Sequence, residues 1–265
     1  MDIKTALSDL TNWFEEYVKG FGSEDPGARE NIELKKNHTF RVRDAILDIG
    51  KSIDLNEEDM CIAEACALLH DIGRFEQYRR FGTFSDSQSV NHASLGVRII
   101  RELEVLKNFP PSTGKIIIPT VGCHNMSSVP EKNNKEWILF LKLVRDADKI
   151  DILYVVTEYY KTSASGSNKV LELHLPDTDI ISDAVYNPLA KGHIALVKDL
   201  GSLNDFKLYQ MGWVYDLNFT RSLRIIRERG YLEMLRNSLP ETSDKAEKIY
   251  QITRGYLDIK LKDSK

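Results

Sequence analysis

The chain has 265 residues, 42% hydrophobic and 29% charged, with a net charge of −4. That length suits a single domain over residues 1–265 with an ample core, and the weak negative charge excludes broad binding of duplex nucleic acid, which needs a basic excess. No stretch approaches the roughly 20 apolar residues of a membrane span, and Met1-Asp2-Ile3-Lys4 lacks the apolar core of a secretion signal, so no membrane partner and a cytoplasmic location are expected.

A 3.6-residue hydrophobic period dominates the chain. Ile3, Leu7, Leu10, Trp13, Phe14 and Val18 predict an amphipathic helix over residues 3–20, and the polar stretch from Gly22 to Arg29, with Pro26, reads as a loop. A second helix is expected from Glu30 to Ser52, with Val42, Ala45, Ile46 and Ile49 on one face and His38 one turn earlier on the same side. Asn56, followed by Glu57-Glu58-Asp59, caps a third helix running through Ala65 and Leu69 to His70-Asp71. Residues 79–91 read as a polar loop, and Asn91 as the cap of a helix from His92 to Leu106. A short helix from Thr113 to Asn125 would kink at Pro119, followed by a loop from Ser127 to Asn134. The strongest pattern spans Lys135 to Lys161, where Ile138, Leu141, Val144, Asp148, Ile152, Val155 and Tyr159 recur every three or four residues.

Beyond a glycine-bearing mobile loop at 163–168, residues 170–175 alternate and suggest one strand of a small β-hairpin. Helical patterning returns over 189–199, 204–229 and 243–260, so the fold class expected is all-α with that one hairpin. Cys61, Cys66 and Cys123, odd in number and set in apolar patterns, read as reduced, buried thiols. His174 and His193 have no partner spacing and read as structural or exposed.

The chemistry concentrates at His70-Asp71-Ile72-Gly73. An imidazole and a carboxylate side by side at a helix end suit a divalent cation, and the glycine is expected to let the chain leave the helix without covering it. Asp148 sits inside an apolar stripe, where an unpaired carboxylate would cost several kcal/mol, so it needs a cation or donors. His38, His70, Asp71 and Asp148 can therefore converge on one ion from three helices. His92 and His124 flank the same region and, with Asp71 bridging, could hold a second ion about 3.5–4 Å from the first. This mixed nitrogen and oxygen set suits Mn, Fe, Ni, Co or Zn better than calcium, as one ion or two.

These residues resemble the HD-domain superfamily of metal-dependent phosphohydrolases. The resemblance rests on five motifs in order: Lys35-x-x-His38-Thr39, the run His70 to Gln77 (HDIGRFEQ), Asn91-His92-Ala93, His124-Asn125, and Arg145-Asp146-Ala147-Asp148-Lys149-Ile150-Asp151. It covers residues 30–160, the metal-binding core, with residues 167–265 as a helical extension. It selects Asp148 over Asp146 as the last ligand, leaving Asp146 to orient an imidazole. The extra histidines are similar to those of two-metal members such as the HD-GYP phosphodiesterases, although the Gly-Tyr-Pro stretch is missing here.

The resemblance implies a small phosphorylated substrate, and leaves a homodimer open. Lys35, Arg74 and Lys149 would set positive charge beside a phosphoryl group, with Asp71, Arg74 and Lys149 in the catalytic machinery. Arg79 and Arg80 would neutralise a distal phosphate from the loop, and Glu76 or Asp146 would relay protons. Two other readings stay open: a di-iron oxygenase on the same fold, and a non-catalytic HD sensor module.

Overall fold

The computed structural model describes residues 2–130, 135–162 and 168–263, and every regular element among them is helical. The chain forms two compact units, Met1–Asp148 and Lys149–Lys265.

In the first unit, α1 (Ile3–Lys19) buries Ala6, Leu10, Phe14 and Val18, a stripe spaced every fourth residue. The Phe14 ring meets Phe40 and Phe75 edge-on, with centroids 5.6 and 5.9 Å away. The second helix, α2 (Pro26–Ser52), starts four residues before the expected Glu30. Asp25 explains the earlier start: its side chain accepts from the Ala28 amide at 3.1 Å, and Pro26 occupies the first helical position, where a missing N–H costs nothing. Asn56 caps α3 (Glu57–Leu69) by accepting from the Asp59 amide at 2.8 Å.

His70 and Asp71 form the junction between α3 and α4 (Ile72–Phe81), which ends at Gly82 in the left-handed region (φ 64°). The helix therefore takes Arg79, Arg80 and Phe81 out of the expected loop. Gly73 corrects the sequence reading more sharply. It lies inside α4, and a Cβ there would sit 2.2 Å from the His92 carbonyl oxygen and 2.7 Å from the Gly96 amide nitrogen. Its role is to let α4 press backbone to backbone on α5 (His92–Glu102), not to release the chain. Asn91 caps α5 through the Ser94 amide at 2.8 Å, and the helix stops short of the expected Leu106. Next come α6 (Pro111–Cys123), which contains Pro119, and α7 (Trp137–Thr162), which crosses from the first unit into the second between Asp148 and Lys149. Within the first unit α3 packs on α1, α2 and α6, and α4 on α2 and α5. The loop expected at 163–168 lies outside the described residues except for Asn168, as do residues 131–134 of the preceding loop.

No strand forms among the described residues, so the hairpin expected at 170–175 is absent. Asn168 supplies the reason. Its side-chain oxygen accepts from the Val170 and Leu171 amides at 3.0 and 3.3 Å, winding the segment into successive turns. Leu173 and His174 follow at φ 52° and 57°. The second unit then builds α8 (Asp183–Ala190), α9 (Leu203–Met211), α10 (Thr220–Arg229), α11 (Tyr231–Asn237) and α12 (Asp244–Asp263). The helix expected over 189–199 is replaced by α8 and a 3-10 turn at Val197–Asp199, parted by Gly192 at φ 78°. The one expected over 204–229 breaks at the 3-10 turn Gly212–Asp216. Helix α12 packs against α8, α9, α10 and α11 and buries Ala246, Ile249, Thr253, Leu257 and Leu261. No helix among the described residues is long and apolar enough to cross a membrane.

Candidate metal centre

Four elements of the first unit deliver imidazoles and carboxylates to one buried place. His38 comes from the middle of α2, His70 and Asp71 from the α3–α4 junction, His92 from the first residue of α5, and His124 from the end of α6. All five are at most 5% exposed. Asp148, from α7, is 22% exposed at its side chain and approaches His38 Nε2 to 3.2 Å and His70 Nε2 to 3.8 Å.

Asp71 divides these groups into two sets. Its Oδ2 lies 3.6 Å from His38 Nε2 and 3.8 Å from His70 Nε2, while its Oδ1 lies 3.3 Å from His92 Nε2 and 3.6 Å from His124 Nε2. Two triads result, His38–His70–Asp71 and Asp71–His92–His124, each with its ligand atoms within 4.8 Å of one another. A carboxylate offering one oxygen to each set is what a bridge between two ions requires.

The protonation pattern decides what fits between these rings. His70 Nδ1 donates to the Ala67 carbonyl at 2.7 Å and His124 Nδ1 to the Val121 carbonyl at 2.8 Å. A carbonyl only accepts, so Nδ1 carries a proton in both rings. His92 Nδ1 likewise faces the Asp86 carboxylate at 2.8 Å. Burial pushes the His70 imidazole down to about 4, and burial with the nearby Arg74 charge pushes His92 down to about 3, so both are neutral at pH 7. The neutral His70 and His92 rings therefore keep a lone pair on Nε2, and these atoms stand 3.4 Å from His38 Nε2 and 3.1 Å from His124 Nε2. The His92 lone pair also faces Asp71 Oδ1 at 3.3 Å and the His70 lone pair Asp71 Oδ2 at 3.8 Å, acceptors that repel one another unless a cation lies among them. The donor set therefore fits divalent metal.

The carboxylates agree. Burial would push Asp71 up, but Lys35, His70 and Arg74 together hold it well below the usual carboxylate range. Asp148 is lowered in the same way, burial being outweighed by the hydrogen bond and charge of His38. Both are ionised and ready to ligate.

Around the ligands stand the cations the sequence singled out. Lys35 Nζ is 2.8 Å from Asp71 Oδ2. Arg74 Nη1 donates to Gln77 Oε1 at 2.9 Å, to Asp86 Oδ1 at 3.0 Å and to the Phe84 carbonyl. Its Nε, 3.4 Å from Asp71 Oδ1, is buried without a hydrogen-bond partner. Arg79 turns elsewhere. Five residues beyond Arg74 on a helix is a rotation of about 140°, and Arg79 pairs with Glu76 and covers the Phe21 ring, its Cζ 4.9 Å from the centroid. Arg80 shares Glu76 at 2.5 Å, so that carboxylate is engaged by two guanidiniums. Lys149 belongs to the second unit and pairs with Asp216 at 2.7 Å. Asp146 is fully buried within α7.

Two residues of the site were given no role by the sequence. Asp86, in a 3-10 turn within the polar loop, carries no periodic signal and is one of several polar residues there. Arg145 is buried in α7 and donates to the carbonyls of His124 and Met126, the former at 3.1 Å. Its position three residues before Asp148, on the same face, was a readable sign of a second charge in that apolar helix. The three cysteines are free thiols outside the triads, and burial pushes the Cys66 thiol up to about 12.

Among protein families, the HD domain matches residues 36–153, a span containing all six metal-ligand candidates. No curated protein and no solved structure matches the chain.

Proposed function

We propose, from the match of residues 36–153 to the HD domain, a metal-dependent phosphohydrolase acting on a nucleotide or other small phosphate ester with two divalent ions. The observation that carries this reading is Asp71, with one oxygen toward the His38–His70 pair and the other toward the His92–His124 pair. His38, His70, Asp71 and Asp148 would hold one ion, and Asp71, His92 and His124 the second. Bound there, the metal supplies Lewis acidity toward a phosphoryl oxygen and makes water acidic enough to attack near neutral pH.

The chain's own side chains supply the rest. Arg74 is clamped through Nη1, and its Nε is a buried donor paired with the Asp71 charge at 3.4 Å but making no hydrogen bond. Such a group costs free energy until an acceptor arrives, and a phosphoryl oxygen is the acceptor that also matches its charge. Lys35 adds an ammonium on the other oxygen of Asp71. As negative charge grows on the phosphoryl oxygens in the transition state, two fixed cations in a water-poor site stabilise it without reorganising. The imidazoles keep their ring orientation through Ala67, Val121 and Asp86, so the ligand lone pairs are pre-aimed.

The test is anaerobic purification and elemental analysis, followed by a screen of phosphomonoesters and phosphodiesters with Mn, Fe, Co, Ni or Zn restored in turn. Phosphate or phosphomonoester release that depends on the metal is expected. Visible absorption from an iron pair, with oxygen consumed and no phosphate released, would overturn the reading in favour of oxygenase chemistry.

A further inference from the structure

Asp86 receives more hydrogen bonds than any role in local loop structure requires. Its Oδ1 accepts from Arg74 Nη1 at 3.0 Å and from Gln77 Nε2 at 2.9 Å, and both oxygens stand 2.8 Å from His92 Nδ1. Oδ2 also accepts from Asn125 Nδ2 at 3.1 Å, and the His92 amide points to Oδ1 at 3.4 Å. These donors come from α4, from the start of α5 and from the residue after His124. One carboxylate thus ties together the arm that would meet the phosphoryl group, a ligand of the second triad and the neighbour of another.

We propose that Asp86 is the positioning residue of the His92–His124 metal site, and that it couples this site to Arg74. The inference rests on the metal-centre reading above. Its physical content is directional. A carboxylate accepting from His92 Nδ1 fixes the ring's tautomer and plane, and raises the basicity of Nε2 toward a cation. The same carboxylate anchors Arg74 Nη1, which leaves Nε as the free donor beside Asp71. Asp86 bonds neither His38 nor His70, and His70 is oriented by the Ala67 carbonyl instead. Substitution of Asp86 should therefore act on one ion and spare the other.

Asp86→Asn is the informative change, because an amide keeps the shape but must turn an NH2 group toward one of these donors. Titration of the metal-free protein with Mn2+, followed by calorimetry and elemental analysis, reads both sites in one experiment. For the wild type two ions are expected. In Asp86→Asn one ion should be retained with wild-type affinity and the other weakened about 10–100-fold, the usual cost of losing such a partner. Retention of the first ion is itself the evidence that the variant is folded. Should Asp86→Asn fail to fold, Asn125→Ala removes an exposed donor to the same carboxylate and should weaken the same ion in the same direction. Equal affinity for both ions in the folded variants, or equal loss at both, overturns the assignment of Asp86 alone. A wild-type protein that binds no ion overturns the metal-centre reading and the inference with it.

Discussion

The two oxygens of Asp71 face different imidazole pairs, so substitutions in this cluster should separate by stoichiometry. Asp71→Asn removes a shared carboxylate from both sets, takes the counter-charge from Lys35 and leaves Arg74 with Asp86 alone. We expect it to bring bound metal close to none, whereas His92→Ala or His124→Ala should lose one ion and keep the other. Elemental analysis of the purified variants decides between these outcomes, and full occupancy in both histidine variants would rule out the second site. The residue types could be picked out from the sequence, since a carboxylate in an apolar stripe and a histidine beside an aspartate each demand a partner. Asp86 could not, because a lone aspartate among serines looks like any solvated loop. Only the meeting of α4, the start of α5 and the residue after His124 gives it four neighbours to serve.

At the scale of the elements, the site depends on how closely α4 and α5 approach. A methyl group at Gly73 would meet the His92 carbonyl at 2.2 Å, and backbone cannot move aside as a flexible side chain can. Gly73→Ala should therefore force the two helices apart, destabilising the fold by roughly 1–3 kcal/mol. Because the displaced residue is His92, it should also lower metal affinity in the second set. Urea denaturation and a metal titration on the same variant test both, and an unchanged midpoint would mean the helices are free to separate. Helix starts were legible at Asn56 and Asn91, which accept from the amides three residues on as their sequence context suggests, but not at Asp25, which caps α2 from within a stretch read as loop. Helix ends and interruptions were not legible. Gly192 and the 3-10 turn at Gly212–Asp216 break patterns that remain periodic through the break, because hydrophobic spacing reports burial and not continuity.

Across the whole molecule, burying neutral imidazoles makes stability depend on pH in a definite direction. In the unfolded chain His70 and His92 bind protons near the ordinary value of about 6.5. In the folded metal-free chain burial holds them down to about 4 and about 3. Between these values the unfolded state carries more protons, so their contribution is fully present above about 6.5 and is lost as pH falls toward 4. Each depressed unit corresponds to about 1.4 kcal/mol, which makes the loss on the order of a few kcal/mol. Asp71, Asp86 and Asp148, all held below the usual carboxylate range, act in the same direction at still lower pH. Urea midpoints of the metal-free protein should therefore hold from pH 7.5 to about 6.5 and fall steadily from there to pH 4.5. A midpoint that holds constant or rises over that lower range would mean the histidines are not buried in neutral form.

Residue type and spacing by themselves determined the predominantly helical class and the list of side chains able to ligate a metal. Those properties follow from local periodicity and from the chemistry of single residues. Tertiary structure alone decided that Asp71 splits its oxygens between two imidazole pairs, that Gly73 serves helix contact, that Arg79 turns toward Glu76 and Phe21, and that Asp86 joins Arg74 to His92. Each depends on how near two segments distant in the chain come to one another, and a one-dimensional pattern does not carry that distance.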